Sequence, residues 1–96
     1  MTREEAIATL ENFRREIDAI DRELLRLLNQ RTSVVERIGR VKESMNFPIY
    51  EPKREQEVFQ NVTENNAGPL DGDALKRIFE RIIDEMRSLQ RMRRAR

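Results

Sequence analysis

The chain has 96 residues, 39% charged and 38% apolar, with a formal net charge of +1; this allows one domain with a thin core and makes overall charge a poor guide to partners. It contains neither Cys nor His, which excludes a thiol nucleophile, a thiolate metal site, an imidazole general base and disulfide stapling. Any catalysis must rest on carboxylates, guanidinium and ammonium groups and amides, a set suited to electrostatic stabilisation.

Three Gly and three Pro argue for long, unbroken helices. Residues 4–45 hold no Pro and one Gly, Gly39. Apolar residues fall at Leu10, Phe13, Ile17, Ile20, Leu24, Leu27, Val34, Ile38, Val41 and Met45. The steps alternate three and four, a heptad seam. Arg31 occupies the seam position between Leu27 and Val34. Beside the seam runs a second row at seven-residue spacing: Arg14, Asp21, Leu28, Val35 and Lys42. The segment NFPIYEP ends this helix, since Pro48 turns Phe47 away from helical angles. Pro52 then suits the first turn of a second helix, expected over residues 52–64. Its apolar face is Val58, Phe59 and Val62, and Glu55 shares that face by its spacing. NNAGPLDGD reads as a loop. A third helix, capped by Asp71 or Asp73, runs to about residue 93. Its stripe is Leu75, Ile78, Phe79, Ile82, Ile83, Met86 and Leu89, with Gln90 continuing it four residues after Met86. The fold class is all-α, with one long, one short and one medium helix. No internal repeat is visible.

The last ten residues, RSLQRMRRAR, contain five Arg. A nucleic-acid contact is one reading. A solvated helix end whose cations complement the helix dipole is the better one, because no aromatic lies among these arginines to stack on bases. No apolar run approaches the roughly 18 residues of a membrane span, and no secretory pattern opens the chain. A soluble cytoplasmic protein without nucleic-acid or membrane partners is expected.

One chain cannot cover this seam. A helix of about 40 residues is roughly 60 Å long, whereas a compact globule of this size has a radius of gyration of about 12–13 Å. An antiparallel homodimer of the long helices is the simple closed solution. Arg14 and Lys42 lie roughly 42 Å apart along one helix, so they cannot share a small ligand within a chain. In the dimer, Arg14 of one protomer approaches Arg31 and Lys42 of the other, and the two shorter helices fold Glu55 and Gln90 back onto the same place. Each cation alone can snorkel to solvent. Three cations in apolar surroundings need anions, and guanidinium groups suit carboxylates. A small dianion is therefore expected, with Val35, Ile38 and Met86 packed on its carbon frame. No metal and no cofactor are expected.

The stretches FRREIDAIDRELLRLLNQR (13–31), VVERIGRVK (34–42), IYEPKREQEVF (49–59) and IFERIIDEMRSLQ (78–90) together resemble the all-helical chorismate mutases of the AroQ class. ENNAGPL is similar to the corresponding loop of mutase domains fused to DAHP synthase, the enzyme that condenses phosphoenolpyruvate with erythrose 4-phosphate. The resemblance implies intertwined three-helix protomers, one mutase domain over residues 1–96, and the conversion of chorismate to prephenate in Phe and Tyr biosynthesis. It also implies a fused or associated DAHP synthase as a possible partner. Arg14 would cross into the partner protomer's site and, with Arg31, clamp substrate carboxylates. Lys42 would donate to the ether oxygen and a carboxylate, and Gln90 to the ether oxygen. Glu55 would accept from the ring hydroxyl, with Glu51 nearby and Arg54 supporting that region. Met86 stands where some members carry a hydroxyl side chain, and Glu51 where some carry Asp.

The chemistry agrees with the composition. A Claisen rearrangement needs no cofactor, nucleophile or proton transfer. It needs the substrate held in its reactive conformer and donors facing the ether oxygen as the C–O bond breaks. Two alternatives stay open. One is a non-catalytic helical dimer, an adaptor or a domain that senses chorismate or prephenate. The other is a nucleic-acid-binding dimer using the Arg-rich tail, with steeply salt-dependent binding.

Overall fold

A computed structural model of the chain describes residues 1–95. It contains three helices, α1 (Arg3–Ser44), α2 (Pro52–Glu64) and α3 (Gly72–Arg94), and no strand among the described residues. The expected order, lengths and all-α class are those observed.

Each helix boundary has a local cause. Thr2 caps α1 by accepting the Glu5 N–H at 3.1 Å, and Glu4 and Glu5 in the first turn complement the dipole. The helix stops one residue before the expected point. Asn46 takes φ 55°, a left-handed conformation that Asn tolerates. Its N–H donates to the Glu43 carbonyl at 3.1 Å, and the Phe47 N–H to the Lys42 carbonyl at 2.7 Å. This pair of bonds is a Schellman ending, and Pro48 only reinforces it. Pro52 occupies the first turn of α2, as expected, and Glu51 is its N-cap residue but makes no side-chain capping bond. Asp71 is the cap of α3, accepting from the Asp73 and Ala74 N–H groups at 3.1 and 3.3 Å, so Asp73 falls inside the first turn. The α2–α3 loop is organised by Asn66, which accepts from the Gly68 N–H and donates to the Leu70 carbonyl. Gly68 sits at φ 76°, where a side chain would be strained.

The chain divides into two compact units, Met1–Ser33 and Val34–Arg96. The first is α1 helix beyond its two opening residues. Its apolar stripe is uncovered: Leu10, Phe13, Ile17, Ile20 and Leu24 are each at least half exposed. In the second unit α2 and α3 pack together. Leu75 and Ile83 are buried, and Val58, Phe59, Val62, Phe79, Ile82, Met86 and Leu89 are half-buried around them. Fully burying one such aliphatic side chain is worth about 1.5–3 kcal/mol, so two buried residues, at 9% and 7% exposure, make a small core.

Candidate active site

The C-terminal end of α1 presents Val35, Gly39 and Lys42 one turn after another. Lys42 is well covered, with 13% of its side chain exposed, and its Nζ lies 2.6 Å from Glu51. It also donates to the Ile49 carbonyl at 3.0 Å. Glu51 thus gives up the capping role its position offers and neutralises Lys42 instead. An ammonium has three N–H donors, so these two contacts leave one for a ligand.

Gln90 reaches α1 from α3, its Nε2 donating to the Val35 carbonyl at 3.3 Å. Gly39 makes this approach roomy. A Cβ added there would lie 3.5 Å from the Gln90 Cγ, an ordinary contact, so the glycine eases the crossing without being sterically required. The amide carries a second N–H, available to a bound molecule. Val35 and Met86 are half-buried, and Ile38 is 44% exposed.

On α2, Glu55 is half-buried as its spacing predicts, but it is held by a residue that its sequence position did not single out. Arg87 of α3 donates through Nε to Oε2 at 3.1 Å and through Nη2 to Oε1 at 2.5 Å and Oε2 at 2.7 Å. The Arg87 guanidinium also lies 4.9 Å from the centroid of the Tyr50 ring, within cation–π range. Its Nη1 lies 3.4 Å from Asp84. The hydrogen bonds to Glu55 raise the Arg87 pKa above its ordinary value, against a smaller opposing effect of burial. The available signal was spacing: Arg87 follows Ile83 by four residues and so shares its buried side of α3.

Arg54 is exposed and pairs with Glu57 at 3.3 Å along its own helix, not with the half-buried groups. Arg14 is exposed and Arg31 half-buried, both within Met1–Ser33. A groove of about 230 Å³ touches Gln90 and Gly39 and is bounded by Glu36, Glu43, Leu89 and Arg93; neither Lys42 nor Glu55 lines it. Among the described residues no group of three or more acidic side chains is placed to hold a metal ion, and no helix is long and apolar enough to cross a membrane.

The second unit therefore carries two neutralised cation–carboxylate pairs, Lys42 with Glu51 and Arg87 with Glu55, and an amide, all beside apolar side chains. The expected surplus of unpaired cation is smaller than the sequence implied. The arrangement is suited to holding a polar molecule by donors on Lys42 and Gln90 and by acceptors on Glu55.

Residues 13–91 match the family model described as chorismate mutase type II. The chain is 41% identical over 86 residues to a bifunctional chorismate mutase/prephenate dehydratase of Aquifex aeolicus, covering 85% of this chain and 24% of that protein. It spans about a quarter or less of the length of the first curated relatives it matches. A chorismate mutase from Thermus thermophilus superposes with a TM-score of 0.84 at 34% identity, covering 86% of this chain and 94% of that one. The chorismate mutase of Helicobacter pylori in complex with prephenate superposes with a TM-score of 0.81 at 36% identity, covering 88% and 91%.

Proposed function

Because the chain belongs to the chorismate mutase type II family, we propose that it converts chorismate to prephenate as a homodimer with two shared active sites. The observation that carries this reading is the presence, within Val34–Arg96, of Lys42, Glu51, Glu55 and Gln90 from all three helical segments, in a chain that has no thiol or imidazole. The complex of the Helicobacter pylori protein with prephenate supports the same ligand class.

The rearrangement breaks one C–O bond and forms one C–C bond within a single molecule. No proton or electron pair is handed to the protein. The site has two tasks, to hold the reactive conformer and to meet negative charge on the ether oxygen. The remaining N–H of Lys42 and the second N–H of Gln90 serve the ether oxygen. Arg31, with Arg14 reaching across from the second protomer, clamps the two carboxylates. Glu55 accepts from the ring hydroxyl. Glu51 fixes the Lys42 ammonium, and Arg54 supports this end of α2 from its outer face. Val35, Ile38 and Met86 pack on the carbon frame. The exposed stripe from Leu10 to Leu24 supports the dimer, since a second protomer would cover it. Residues 1–96 act as one mutase domain in the cytoplasm, and residues 64–70 support a fused or associated DAHP synthase as a further partner.

The test is chorismate absorbance in the presence of the purified chain without added metal or cofactor. It should fall at a rate proportional to protein. A rate no faster than the uncatalysed background, with prephenate still bound, would turn the reading to a sensing domain. The shared site has its own check. Arg14→Ala and Lys42→Ala should each lose about 10²–10³ in rate, as for one transition-state donor. Mixed dimers of the two should regain activity at one site in two. Mixtures that stay inactive after confirmed subunit exchange would exclude a site completed by the partner.

A further inference from the structure

We propose that Arg87 is a positioning residue for Glu55, one that determines the direction in which this carboxylate can receive a ligand's hydroxyl; the inference rests on the mutase reading of the site. An ionised carboxylate has about four acceptor positions. Three contacts from the Arg87 fork, at 2.5, 2.7 and 3.1 Å, leave about one. A two-pronged guanidinium contact fixes the plane of the carboxylate as well as its place, which a point charge on Lys would not do. The guanidinium is itself held from two sides, by Asp84 at 3.4 Å and by the Tyr50 ring at 4.9 Å. Tyr50 lies in the segment that also carries Glu51, the partner of Lys42. The two carboxylates at the start of α2, Glu51 and Glu55, are thus each held by a cation from another helix.

Both members of the Arg87–Glu55 pair are covered, whereas in the Lys42–Glu51 pair only Lys42 is, Glu51 being 48% exposed. The Arg87 and Glu55 side chains are 20% and 22% exposed, against 79% and 61% for Arg81 and Glu85. Solvent screens the exposed pair strongly and this one much less. Arg87 joins residues 32 positions apart, so it ties α3 to α2 where Glu55 stands. No contact in the structure requires Arg87 to touch a ligand; its donors already face Glu55 and Asp84, and it acts through Glu55.

A double-mutant cycle separates this role from a plain structural clamp. The full chain is compared with Arg87→Met, Arg87→Lys, Glu55→Gln and the Arg87→Met/Glu55→Gln double variant, by kcat/KM for chorismate and by thermal midpoint. Each of Arg87→Met and Glu55→Gln should lose about 10-fold, and the double variant little more than Glu55→Gln alone, because coupled residues are not additive. Arg87→Lys should fall between parent and Arg87→Met. If the losses multiply to about 100-fold, Arg87 acts independently of Glu55 and the inference is overturned. It is equally overturned if Arg87→Met lowers the midpoint but keeps the parental kcat/KM. Should Arg87→Met fail to fold, Arg87→Lys against Glu55→Gln gives the same comparison. A parent that binds prephenate without turnover is read by prephenate affinity instead. A parent that neither turns over nor binds overturns the mutase reading together with this inference, whereas an active parent with multiplying losses overturns the inference alone.

Discussion

Met1–Ser33 and Val34–Arg96 are built from the same kinds of residue and cover them to different degrees. In the first, the large apolar side chains from Ile7 to Leu28 stand 38–59% exposed. In the second, Val34, Ile38 and Val41 of α1 and the adjoining Met45 are still 40–61% exposed, but Leu75 and Ile83 of α3 fall to 9% and 7%. Charges divide the same way. The ion pairs of the first unit run along one helix, Arg15 with Glu11 and Arg26 with Glu23, all four side chains more than half exposed. The second has such pairs too, Arg54 with Glu57 and Arg81 with Glu85, but adds pairs that join separate elements: Lys42 with Glu51, Glu55 with Arg87, Glu36 with Arg93. A helix gains most of its stability from packing an apolar face. The second unit supplies part of that packing itself; the first presents the face and leaves it open. The difference teaches that one region pairs charges between elements and covers part of its own apolar surface, while the other leaves its stripe open, as the proposed dimer requires.

Placing charge on the open stripe should break this contrast most severely. Ile17→Glu with Leu24→Glu should weaken association by about 10³-fold or more, since each carboxylate would be buried without a partner. Sedimentation should then show monomer, and turnover should vanish with it. A variant that remains dimeric and active would mean that the stripe is not the interface.

In the second unit, Ile83→Ala should cost about 2–5 kcal/mol, read from denaturant unfolding. The proposed dimer should persist at concentrations where the protein stays folded. If Ile83→Ala instead dissociates the dimer without lowering the unfolding midpoint, the core of the second unit is not self-contained.

Asp71→Ala removes the cap of α3 and should cost about 1 kcal/mol. Asp71→Asn should recover most of it, because an amide oxygen also accepts from the first-turn N–H groups. Equal losses in the two variants would show that charge near the helix dipole matters more than the capping bonds.

The smallest effect belongs to Glu23. Its hydrogen bonds to Arg26 lower its pKa below the ordinary carboxylate value. A carboxylate depressed on folding adds stability above its unfolded pKa and loses it as pH falls through the folded one. Glu23 is more than half exposed, so solvent screens the pair and Glu23→Gln should leave the thermal midpoint at pH 7 within error of the parent and flatten its acid limb only slightly. A clear drop at pH 7 would show that Glu23 is covered in the assembled protein.

Much of this protein was legible in its residues taken in order. Helix limits are local events, decided within a few residues by Pro52, by Asp71 and by the turn after Ser44. The seam from Leu10 to Met45 and its interruption at Arg31 are periodicities, and a strict period implies a face and a missing partner whatever the remaining fold. Glu55 and Gln90 could be assigned to their helices' apolar sides by the same spacing. Partner choice among long charged side chains was not legible. Lys42 is joined to Glu51 at 2.6 Å, and Glu55 to Arg87 across 32 residues; both depend on how two helices cross. A flexible Arg or Lys has several carboxylates within reach along its own helix, and spacing cannot rank them. Only packing α3 against α2 takes Arg87 out of water, sets Tyr50 beneath it and leaves Glu55 as its nearest two-pronged acceptor. Sequence determined which faces are apolar and where the helices end, because those are short-range effects; tertiary structure decided which charges meet, because that depends on distances no period contains.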